Sequence, residues 1–159
     1  MPATPFRAAL AAGALATIAL AGGAHAQNDC HGTPSANRLF VVVENITEAR
    51  GLIASTLYGN DTSRFLKSGG SLSVWRTAAR PPSLTMCVFL PKPGDYAVGV
   101  YQDLNSNHRI DKKMLPPGPA EPWGFTNNPH ALFALPSFGQ VHFAAHAGDN
   151  TVHIRLNHP

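Results

Sequence analysis

The sequence predicts an all-β fold, an antiparallel sandwich of about seven strands with one long loop over 103–130. Three observations predict it. Apolar residues recur in short runs, and turn residues separate those runs. No stretch keeps a 3.6-residue apolar period over the length of a helix. Turn formers are abundant, with 14 Gly and 14 Pro, while charged residues make up only 13% of the chain.

The runs can be taken in order. "RLFVVVENI" (38–46) is dense in Val and Phe, and "GLIASTLYG" (51–59) follows after four residues. Short helical turns fit "TSRFLKSGG" (62–70). "SLSVWRTA" (71–78) alternates, with Trp75 read as a packing residue. "SLTMCVFL" (83–90) puts Leu84, Met86, Val88 and Leu90 on one face, and "GDYAVGVYQD" (94–103) does the same for Tyr96, Val98 and Val100. The last two runs are "SFGQVHFAAHAG" (137–148) and "NTVHIRL" (150–156).

Those last runs are expected to form a hairpin. A two-residue turn at Asp149-Asn150 would pair Gly148 with Thr151 and Phe143 with Leu156, keeping the apolar faces together. That register sets His146 opposite His153 on the outer face, with His142 further along. Opposed side chains lie about 5 Å apart at Cβ, within reach of a shared Zn²⁺ or Cu²⁺. The alternative is an uncoupled surface pair.

The N-terminus reads as a secretory leader. Arg7 precedes an Ala/Leu-rich run, and Ala24-His25-Ala26 fits a small-x-small cleavage site. Residues 1–26 are therefore a signal peptide, and 27–159 a single domain of 133 residues with formal charge +2 once Arg7 is lost. The expected location is periplasmic or secreted, with an envelope or extracellular ligand as the class of partner. No transmembrane segment is expected in the mature chain. Basic residues are scattered, with only Lys112 and Lys113 adjacent, which argues against a nucleic-acid surface. The two cysteines, Cys30 and Cys87, read as one disulfide in an oxidising compartment.

The long loop carries the chemistry. In "YQDLNSNHRID" (101–111), oxygen-bearing side chains recur at Asp103, Asn105, Asn107 and Asp111, and the Arg109 carbonyl falls between them. Alternating oxygen ligands on a short loop are how proteins wrap Ca²⁺, with Glu121 available as a further carboxylate. His108 stands where an EF-hand has Gly, and Met114 where it has its bidentate Glu, so this is not an EF-hand. The competing reading is an Asx-turn loop whose side chains cap backbone N–H groups without an ion.

A second candidate follows in "EPWGFTNN" (121–128), where Trp123 and Phe125, with Asn127 and Asn128, could form a platform for a sugar or peptide. The competing reading folds both rings down as a lid on the sandwich. Nucleophile elbows, His-Glu-x-x-His, phosphate-cradling Gly loops and Cys-x-x-Cys are all absent. A non-enzymatic module is therefore expected. A small hydrolase would need two of Asp103, Asp111 and Glu121 to converge on an open cleft.

"GDYAVGVYQDLNSNHRIDKKMLPPGPAEPWGFTNNP" resembles the signature of a bacterial family of exported proteins, domain of unknown function 2141. Gly94, Tyr96 and Ala97 match its first part; Asp103, Asn105, Asn107 and Asp111 its second; Glu121, Gly124, Phe125, Thr126, Asn127 and Asn128 its third. His108 departs from the family's usual Gly, and "PPGPAEPW" replaces its usual "GIPKEGY"-like stretch. The resemblance implies an exported immunoglobulin- or transthyretin-like β-sandwich with no assigned reaction. It also joins Glu121 and the Asp/Asn loop in one signature, which makes the calcium reading more coherent.

Overall fold

The computed structural model describes residues 30–130 and 135–159, so the expected leader lies outside the described residues. In chain order the elements are β1 (Asn37–Glu44), β2 (Leu52–Gly59), β3 (Ser73–Ala78), β4 (Ser83–Leu90) and β5 (Gly94–Asp103). Then come β6 (Lys112–Met114), β7 (Pro117–Pro119), β8 (Trp123–Phe125), α1 (Phe138–Val141), β9 (Phe143–Ala145) and β10 (Asp149–Arg155).

Two sheets face each other. One has the order β10-β1-β4, the other β3-β2-β5-β8, with β9 also bonded to β5. β8 and β9 share one edge of β5: β9 pairs with Gly94–Tyr96 and β8 with Gly99–Tyr101. A third, two-stranded sheet, β6-β7, stands apart from both.

The pleat explains which residues meet. Leu39, Val41 and Val43 of β1 are fully buried, while Phe40 and Val42 between them face outward and stay half-buried. Opposite them lie Ile53 and Leu57 of β2, Trp75 of β3, and Tyr96, Val98 and Val100 of β5. Met86, Val88 and Leu90 of β4, with Ile154 and Leu156, complete this core. The Cys30–Cys87 disulfide ties the first described residue to β4, and the chain then adds a short parallel bridge from His31 to Val88.

A second, smaller core lies on the outer face of the larger sheet. Phe65, Phe125, Phe138, Val141 and Ala97 meet there, with edge-to-face rings at Phe65 and Phe138. Gly99 makes room for it, because a Cβ at that position would sit 2.8 Å from the Phe125 ring. The 62–70 segment that delivers Phe65 consists of hydrogen-bonded turns, as in Phe65 N–H to Asp61 O.

The end of the chain departs from the expected hairpin. β9 joins β5 in one sheet, and β10 runs parallel to β1 in the other. Phe143 is therefore paired with Tyr96 rather than Leu156, and His153 with Val42 rather than His146. The cause is local. Asn150 is not a turn residue but a clasp: its Oδ1 accepts from His146 N–H and its Nδ2 donates to His146 O, Arg38 O and Gly148 O. Asp149 then pairs with Arg38 in a two-bond contact at 2.6 and 2.7 Å, which starts β10 alongside β1. The segment 137–141, read as the start of a strand, holds the single short helix among the described residues.

Candidate functional site

The long loop begins where β5 ends, at Asp103. Its side chain is completely buried and turns back under the loop rather than outward. Oδ1 accepts from Asn107 N–H at 3.0 Å and Oδ2 from His108 N–H at 2.7 Å. Two Asx turns follow, with Asn105 Oδ1 accepting from Asn107 N–H at 3.1 Å and Asn107 Oδ1 from Arg109 N–H at 2.8 Å. The Asn105 and Asn107 amides then donate to the two oxygens of Asp111, at 2.8 and 3.1 Å.

Glu121 closes the structure from the far side. It is 3% exposed, and its carboxylate accepts Leu104 N–H at 2.8 Å and Asp111 N–H at 3.0 Å. The residue thus joins both ends of 104–111, seventeen and ten positions away in sequence. Asp103, Asn105, Asn107, Asp111 and Glu121 are all brought together, and each oxygen of the three carboxylates accepts an N–H. Arg109 contributes its N–H, and its side chain is exposed. Among the described residues, no group of three His, Cys, Asp or Glu side chains is placed to hold a metal ion.

The backbone is held under strain by these ties. Ser106 and His108 have φ of 58° and 65°, the left-handed region that costs a non-glycine residue about 1–2 kcal/mol. His108 occupies the position where a calcium loop has glycine, and it adopts the conformation for which glycine is chosen. Beneath the loop, Gly51 has φ of 70°, and a Cβ there would lie 1.9 Å from the Asp103 carbonyl. Only glycine lets the β1–β2 connection pass under this corner. Gln102, fully buried next door, donates to the Glu48 and Arg50 carbonyls and fixes the same connection.

The second half of the loop packs rather than projects. Phe125 is 7% exposed within the smaller core, and Trp123 rests half-buried on its rim, edge-to-face at 5.8 Å. Of the two rings, only Trp123 keeps an open part of its surface. Gly124 sits against Arg155, where a Cβ would be 2.6 Å from the carbonyl oxygen. Thr126 bonds to the Val98 amide and the Val141 carbonyl. Asn127 donates to the Gln140 and His142 carbonyls, while Asn128 accepts from Arg155 N–H and donates to His153 O. The two amides therefore staple β8 to α1 and β10.

His146 and His153 still reach one open cleft of about 410 Å³, which Asn127 and Asp149 also line. Each is engaged separately: His153 Nδ1 lies 2.8 Å from Glu44, and His146 Nδ1 lies 2.9 Å from the Ala147 carbonyl. The Arg38 guanidinium bonded to Asp149 at the cleft's end holds that carboxyl below the usual carboxylate range.

A family model described as "Uncharacterized protein conserved in bacteria (DUF2141)" matches residues 41–153. The chain belongs to this family. Within DUF2141, the matched span runs from β1 into β10 and contains the whole Asp103–Asn128 loop. No curated protein and no solved structure matches the chain.

Three features escaped the sequence reading. The 103–130 segment contains β6, β7 and β8, each of three residues, and Pro117 and Pro119 in β7 mask the strand signal. The fixed role of Gln102 was hidden because its position continues an apolar alternation. The outward turn of Met114 and Leu115, at the tip of β6-β7, had only the neighbouring Lys112-Lys113 pair and Pro116 as signals.

Proposed function

We propose that the protein is an exported, non-enzymatic binding or accessory module, in which the sandwich holds the 103–122 loop as its recognition element. The observation that supports this best is how the loop's carboxylates are used. Asp103 and Glu121 are buried, and both oxygens of each already accept backbone N–H bonds. A general acid or base needs an oxygen within reach of a substrate proton. These oxygens face their own backbone instead. What they supply is order in a segment too long to order itself, and a pre-ordered surface binds at a lower entropy cost. Export is supported by the Cys30–Cys87 bond, since disulfides persist in oxidising compartments.

Hydrogen exchange tests this reading in the free protein. The amides of Leu104, Asn107, His108 and Asp111 are expected to exchange far more slowly than those of an open loop. Exchange at unstructured rates would overturn it.

A second reading adds a Ca²⁺ ion to the same loop. The left-handed His108 and the Asx turns at 105 and 107 support it, because calcium loops use this backbone path. Each carbonyl and carboxylate oxygen there has a second lone pair. The expected result is a melting temperature several degrees higher in calcium than in chelator, equivalent to about 2.7 kcal/mol at a hundred times Kd. An unchanged melt in millimolar calcium would leave the loop tied by its own hydrogen bonds alone.

A further inference from the structure

The β6-β7 hairpin presents two large apolar side chains to water. Met114 is 86% exposed and Leu115 90%, the highest values among the exposed large hydrophobic residues of the described chain. They sit side by side at the tip of a ladder that pairs Lys112 with Pro119 and Met114 with Pro117. Ile110, also exposed, lies near the base of the same arm. The β6-β7 sheet pairs with neither larger sheet, so this surface is not an unfinished edge of the sandwich.

Basic residues outnumber acids in the sequence around the tip. Arg109, Lys112 and Lys113 fall within five positions of Met114, and Arg109 and Lys112 are exposed. Asp111 is the one acid between them, and both its oxygens are bonded to Asn105 and Asn107. Glu121 faces inward. An apolar tip with three cations close to it in sequence matches the boundary layer of a bilayer, where acyl chains lie beneath phosphates.

The prolines of the arm lower one cost of that environment. An unpaired N–H is the group most costly to carry into an apolar layer. Residues 116, 117 and 119 are prolines and have none. The Ala120 N–H is satisfied by the Asp111 carbonyl at the base of the arm.

We propose that the β6-β7 tip is a membrane-docking element that inserts Met114 and Leu115 at the surface of a bilayer containing anionic lipid. Arg109, Lys112 and Lys113 meet the phosphates. The inference rests on the reading of the 103–122 loop as the recognition element, because the arm is part of the loop whose base Asp103 and Glu121 tie.

The test is co-sedimentation of the disulfide-intact protein with vesicles of phosphatidylcholine alone, and of phosphatidylcholine and phosphatidylglycerol in equal parts. Binding is expected only to the anionic vesicles, weakening as salt is added. Lys112→Gln with Lys113→Gln is expected to weaken it about 25-fold, at roughly fivefold for each cation. Met114→Ser with Leu115→Ser is expected to weaken it on the order of tenfold or more, with an unchanged melting temperature because both residues are exposed. Equal binding to both vesicle types, or binding untouched by the serine pair, would overturn the proposal. So would an absence of vesicle binding, including the case where the wild type self-associates through Met114 and Leu115. If the loop amides remain protected in any of these cases, the lipid inference alone has failed. If they exchange freely, the recognition-element reading has failed with it.

Discussion

Replacing Glu121 by alanine is expected to destabilise the protein by about 3–6 kcal/mol, since hydrogen bonds to a charged group contribute about 1.5–3 kcal/mol each. Its two oxygens hold the N–H groups of Leu104 and Asp111 at the two ends of the Asx knot. Without them both donors are left unsatisfied in a partly buried corner. Glu121→Gln is expected to cost less, about 2–3 kcal/mol, because one carbonyl acceptor remains while the amide group opposes the other N–H. The measurement is a urea titration, read as a lower midpoint with little change in slope. A loss below about 1 kcal/mol for the alanine variant would show that the loop does not depend on this carboxylate.

Removing the disulfide is the second large effect. Cys30 and Cys87 are separated by 57 residues, for which the chain-entropy estimate is about 4 kcal/mol. The bond also positions His31, whose ring stacks on Trp75 at 6.0 Å and whose backbone bonds to β4 on both sides. Cys30→Ser with Cys87→Ser is therefore expected to lower the denaturation midpoint and shift Trp75 emission as its stacking partner is released. Reduction of the native protein should reproduce both changes. A double variant as stable as the parent would show that the His31 bridge holds the segment unaided.

The long strands were legible in the sequence because each is a dense or alternating apolar run bounded by turn residues. Tyr96, Val98 and Val100 could only be a single buried face, and they are one. The neighbour of β10 was not legible for the same reason. Alternation says which side of a strand is buried, and Ile154 and Leu156 are equally buried in a hairpin or beside β1. Asp149 and Asn150 also tolerate a tight turn, so local chemistry favoured the wrong partner. The deciding contacts, Arg38 with Asp149 and Asn150 with the Arg38 carbonyl, span more than a hundred residues.

At the site, the sequence grouped residues that the fold brings together, without showing where their oxygens point. Asp103, Asn105, Asn107 and Asp111 have the spacing of cation ligands and equally that of backbone caps. The difference is a few ångströms in side-chain direction, and in the structure the Asp103 oxygens point back at the Asn107 and His108 N–H groups. The sequence leaves Phe125 open between a platform beside Trp123 and a lid on the sandwich, and in the structure it faces Gly99 and joins the small core. A glycine on the adjacent strand was the available signal for an inward ring.

The parallel pairing of β1 with β10 imposes an order of events on assembly. β1 is the middle strand of its sheet, but its second neighbour is synthesised 111 residues later, at Asp149. Until then one edge of β1 is open, and the places of Ile154 and Leu156 in the core are vacant. The sandwich therefore cannot close progressively from the N-terminal side, and β10 acts as a latch that sets late into a structure already laid out. Such non-local pairing is slow to form. The accompanying hazard is that an early fragment lacking β10 exposes the β1 edge to the same strand of a second molecule.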